Sequence, residues 1–273
     1  LCEPYKIYAV LREICYYADS YDDELISKFE ASHIQEPRIT RFSKDVTDNA
    51  FVNYQKIITD GIERFNYYME KRHSSNAWYT LNITFKQIEF YAEPQGYLRT
   101  TLEKAIDAIF DREIPFQDRL LRGKMDLEKL LNYPQDNFSD DLYEIETFIP
   151  HKYSSKKDNI RENWEDSYTE VEEMIANSRF EDAAMVMLSC FYNLFYYNLV
   201  DEDIKKPIVD ALEQSSGLDW NQAAPILYKG MESIMEDTIF DNNFGMDLSK
   251  IMSEQMQQSM AAMQEMMANF KIN

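Results

Sequence analysis

The sequence predicts an all-α protein, arranged as an antiparallel helical array or as two helical bundles. Three observations carry that prediction. Glycine and proline are scarce, six and eight in 273 residues, and helices are the elements that tolerate long runs without either. Apolar residues recur at steps of three and four through most of the chain, the spacing of a helix with one buried face. Strand-like alternation occurs convincingly at one place, residues 81–85, and a strand with no partner is not stable.

The elements follow in order. Residues 5–18 have helical spacing at Ile7, Val10, Leu11, Ile14 and Cys15. Asp22 and Asp23 open a second helix with Leu25, Ile26 and Phe29 on its buried face, ended by Glu36-Pro37 because the residue before proline avoids the helical region. Residues 38–46 read as a loop, and Thr47 or Asp48 as the N-cap of a long helix to about Arg72, with Gly61 inside it. Trp78, Leu81, Phe85, Ile88 and Tyr91 step by three and four, which favours helix over strand for 81–85. After the turn at 94–96, one helix carries Leu102, Ile106 and Ile109, and another starts near Pro115 and carries Leu120, Leu127 and Leu130. Leu142, Ile145 and Phe148 form a short helical patch.

The polar stretch 151–158 separates an N-terminal helical domain, 1–150, from a C-terminal one, 151–273. Trp164, Tyr168, Val171 and Ile175 make the first helix beyond it. Residues 180–200 are apolar around most of the circumference, which marks a central, buried helix. Asp201 and Asp219 start two more. The hairpin 160–177 with 179–200 has a repeat-like length, yet the 34-residue tetratricopeptide pattern is absent.

The chain ends in a Met-rich amphipathic helix over 246–271. Leu248, Met252, Met256, Met260, Met263 and Met267 fall on one face. Flexible thioethers suit a surface that adapts to apolar partners, so these six residues are the candidate partner-binding site. Their composition is similar to the methionine-rich helices of signal-sequence-binding and client-binding domains. The same stripe could instead pack as the last core helix, with residues 180–200 as its dock.

Net charge is −21, as −9 in 1–150 and −12 in 151–273. A spread acidic charge argues against binding phosphate backbones or anionic membrane surfaces. Cys2, Cys15 and Cys190 form no metal or redox spacing, which suits reduced thiols in the cytoplasm. No run is long enough to span a membrane. The chain begins at Leu1, as a trimmed or processed piece would.

Phosphate-loop, dinucleotide, nucleophile-elbow and zinc-protease motifs are all missing, so no catalytic residue and no cofactor are assigned. The most chemical pattern is a pair of ExxH sequences, Glu30 with His33 and Glu70 with His73, placing carboxylate and imidazole on one helical face as in di-metal bundles. Glu13, Glu63, Glu89 and Glu103 are eligible as further ligands. The expected function is therefore non-enzymatic protein binding, as adaptor, assembly subunit or chaperone-like factor, the partner being another protein or a second copy of the chain. An acidic inhibitor of a basic partner and a di-metal bundle are the alternatives.

Overall fold

The computed structural model describes residues 4–32, 38–145 and 152–236, with ten helices among them. They are α1 (Pro4–Phe29), α2 (Lys44–Glu70), α3 (Ser74–Ala92), α4 (Gly96–Phe110), α5 (Phe116–Leu131), α6 (Gln135–Asp140), α7 (Lys157–Ala176), α8 (Phe180–Tyr197), α9 (Glu202–Ser215) and α10 (Trp220–Met235). The fold is all-α. Two short ladders complete it. Strand β1 (Ile39–Arg41) pairs antiparallel with β2 (Tyr143–Ile145), and β3 (Tyr153–Ser154) pairs parallel with β4 (Asn198–Leu199).

Helices α3 and α8 lie at the centre and pack on each other. Helix α2 forms a hairpin with α3, while α4 and α5 also pack on α3. Helices α7 and α10 pack on α8, and α9 on α10. The apolar circumference of residues 180–200 has this cause: eleven residues of α8 are buried. Residues 81–85 lie within α3 and are buried without interruption. One hydrophobic cluster runs from Phe51 in α2 to Ile234 in α10, so the α3–α8 contact joins the chain segments on either side of 151–158.

Gly61 lets α2 approach α3. A Cβ there would fall 2.5 Å from Thr84 Oγ1. The helix tolerates this glycine because the close approach requires it.

Several local expectations need correction. Residues 5–18 and the segment opened by Asp22 form one helix, α1, because 19–22 contain neither glycine nor proline. Leu25 and Phe29 are exposed, not buried. Helix α2 starts at Lys44 with Ser43 in the cap position, and Thr47 lies inside it, buried, donating Oγ to the Lys44 carbonyl at 3.0 Å. The loop expected at 38–46 contains β1, and the helical patch expected at 142–148 contains β2. Asp201 and Asp219 do hold the N-cap positions of α9 and α10, although neither side chain bonds a backbone N–H.

Candidate functional site

Helix α1 is laid on α4 with its polarity reversed. Tyr16 OH donates to Glu103 Oε2 at 3.0 Å, Arg99 Nη1 to Asp19 Oδ2 at 3.4 Å, and Lys104 Nζ to Glu24 Oε2 at 2.5 Å. The contact with the body of the protein is thus made largely by polar and charged groups. At 100° per residue, Ile7, Val10, Leu11, Ile14, Tyr17, Tyr21, Leu25 and Phe29 share an arc of about 120°, with Tyr16 on the opposite side. All eight face solvent, between 46% and 70% exposed. A surface helix ordinarily turns such a stripe to the core. Helical spacing shows which residues share a face but not where the face points, so the exposure of this stripe was missed from sequence.

Between α1 and the C-terminal end of α3 lies an open cleft of about 1170 Å³. Tyr16, Tyr91, Tyr153, Tyr196 and Tyr197 line it together with Glu89, Glu103 and Asp107. Four of its charged side chains form ion pairs within it. Glu103 also accepts from Arg99 Nε at 3.1 Å, and Lys152 Nζ lies 3.2 Å from Glu89 Oε1. The Arg12 guanidinium stacks over the Tyr153 ring at 3.3 Å. Burial raises the Glu103 carboxyl above its ordinary range, and Arg99 and the Tyr16 hydroxyl oppose that rise only in part. Burial likewise raises Asp107.

Behind two of the cleft tyrosines sits a buried amine. Lys86 is 1% exposed. Its Nζ donates to Asn193 Oδ1 and lies 4.6 to 5.2 Å from the rings of Phe110, Tyr196 and Tyr197. Burial lowers its pKa to about 7. One turn earlier, Asn82 Nδ2 donates to Ser189 Oγ at 2.8 Å. Asn82 and Lys86 on α3 therefore face Ser189 and Asn193 on α8, a polar ladder through the middle of the fold. The i, i+4 spacing of each pair is visible in sequence, but nothing there shows that the two pairs meet until the helices are brought together.

The pair Glu70 and His73 is not arranged as the bundle chemistry requires. Helix α2 ends at Glu70, Arg72 adopts a left-handed φ of +61°, and His73 caps α3, so Glu70 and His73 do not share a helical face. Glu30 lies beyond the end of α1 with φ +54°, and His33 is outside the described residues. Among the described residues no group of three or more His, Cys, Asp or Glu is placed to hold a metal ion. Glu13, Glu89 and Glu103 do converge, on the cleft, where Glu89 and Glu103 have cationic partners. Cys190 is a buried thiol pushed up to about 11 by burial, which keeps it unreactive at neutral pH.

The Met-rich stripe of Leu248, Met252, Met256, Met260, Met263 and Met267 lies outside the described residues. Among those described, no helix is long and apolar enough to cross a membrane. Compared with known proteins, the chain matches no family model, no curated protein and no solved structure.

Proposed function

We propose that the protein is a non-enzymatic protein-binding factor, acting as an adaptor, an assembly subunit or a chaperone-like protein in the cytoplasm. The observation that carries this reading is the outward apolar stripe of α1. Monomeric proteins seldom expose a contiguous apolar patch of more than a few hundred Å² unless it meets a partner. Eight half-exposed large side chains in a row on one helix form such a patch. The Met-rich stripe at 246–271 supports the same reading, because thioethers adapt to varied apolar surfaces.

The test is co-purification of the full chain from its native source against two variants. One carries Leu11→Asp and Ile14→Asp. The other carries Met252→Gln, Met256→Gln and Met260→Gln, which keeps helix propensity while removing apolar character. Both should keep the far-UV circular dichroism of the intact chain and lose the bound partner. Retention of the same partner by both variants would overturn the reading.

A further inference from the structure

The stripe on α1 needs a cover, and the chain carries a segment that matches it. We infer that in the unpartnered chain the exposed face of α1 is covered by residues 246–270 of the same molecule, laid alongside it as an amphipathic helix. This rests on the reading of both stripes as contact surfaces and adds that each is the other's resting occupant.

Three features support the pairing. The lengths agree: α1 has 26 residues, about 39 Å, and 246–270 would make about 37 Å of helix. The widths agree, because Leu248, Met252, Met256, Met260, Met263 and Met267 also share an arc of about 120° at 100° per residue.

The third is the route of the chain. Near the end of α10, the Ile234 carbonyl accepts from Arg161 Nε at 2.7 Å. Arg161 is eight residues from Tyr153, whose ring lies beneath Arg12 of α1. Four extended residues and one helical turn span at most about 20 Å. The ten residues from Glu236 to Met246 reach about 33 Å when extended. With the two side-chain contacts added, the upper bound from the end of α10 to Arg12 is comparable to that reach, so the start of the segment can meet α1 near Arg12.

Charge distinguishes this occupant from a second copy. Two chains of net charge −21 repel at low salt. A tethered segment instead acts at an effective concentration in the millimolar range.

Cys15 gives a native reporter. It is exposed, lies near the midpoint of α1, and stands beside the stripe. The midpoint of 246–270 is at 258, so a helix in either direction brings residue 256 or 260 opposite Cys15. The experiment uses the full chain with Cys2→Ser and either Met256→Cys or Met260→Cys, treated with a short bismaleimide in the absence of partner.

A link between Cys15 and the new cysteine within one chain is expected. Its yield should not change on roughly tenfold dilution, and should fall about tenfold when Leu11→Asp and Ile14→Asp are added. Links only between two chains, lost on dilution, would show a second copy as the occupant and overturn the inference. Free reaction of both thiols without any link would also overturn it. If linking fails while the stripe variants still lose their partner, this inference falls and the binding function stands. If the link forms while the variants keep the partner, the binding function falls instead.

Discussion

The hydroxyl of Tyr16 donates to Glu103 Oε2 at 3.0 Å, and this bond ties the polar side of α1 to the protein. Glu103 also accepts from Arg99, so its carboxylate keeps a partner if the phenol is lost. Tyr16→Phe therefore removes one charge-assisted bond without orphaning the acceptor. A hydrogen bond to a charged group contributes about 1.5–3 kcal/mol. Local opening of α1 should become on the order of tenfold more frequent, while α3 and α8 are unaffected. Amide hydrogen exchange reads this directly. Equal loss of protection in α1 and α8 would show that α1 unfolds only with the whole.

At Gly61 two effects oppose each other. Helix propensity favours alanine by up to about 1 kcal/mol. The added Cβ, however, would lie 2.5 Å from Thr84 Oγ1 and 2.6 Å from Thr84 Cγ2 inside the α2–α3 contact. Overpacking a tight contact costs about 1–3 kcal/mol, so the steric effect should win. Gly61→Ala is expected to lower stability in urea melts, and adding Thr84→Ala should recover a large part of the loss. A stabilised single variant would mean that the two helices separate at little cost.

Tyr54 tests a buried bond across the N-terminal helices. It is almost fully buried, packs 4.8 Å from the Phe138 ring, and donates its hydroxyl to the Leu130 carbonyl at 2.7 Å. That carbonyl is in the last turn of α5, where it also accepts from the Tyr133 N–H at 3.0 Å. Tyr54→Phe keeps the packing and removes one of the two bonds to the carbonyl, which retains the Tyr133 N–H, at a cost of about 0.5–1.5 kcal/mol. A thermal melt of the variant checks this, and an unchanged midpoint would indicate that the Tyr133 N–H alone satisfies the carbonyl.

These sites differ in how far the sequence discloses them. The burial of α8 was legible, because apolar residues around most of the circumference leave little side for water. The helicity of 81–85 was legible from the wider spacing of Trp78, Phe85 and Ile88. The orientation of α1 was not, because it depends on Arg99, Glu103 and Lys104, which lie some eighty residues away and offer α1 a polar seat. The strands were missed because two or three residues are too short to show alternation. The Asn82–Lys86 ladder was missed because its partners, Ser189 and Asn193, lie more than a hundred residues along the chain.

Lys86 offers the sharpest test of that ladder. Its amine is buried beside an asparagine oxygen and three aromatic rings, and burial lowers its pKa to about 7. In the unfolded chain a lysine titrates near 10.4. Between those two values the unfolded state holds a proton that the native state has released, so stability should rise with pH across that window. One full proton gives a slope of about 1.4 kcal/mol per pH unit. Above about pH 10 the trend reverses, since burial holds phenols such as Tyr54 and Tyr192 protonated in the folded protein. Lys86→Met keeps the length of the side chain and cannot titrate. Its urea midpoint should be at least as high as the wild type near neutral pH, because no buried charge remains to be compensated. Its stability should also climb less steeply towards pH 9, by about 1 kcal/mol per unit. Parallel pH profiles for the two proteins would show that the native amine stays charged, with Asn193 and the rings sufficing to hold it.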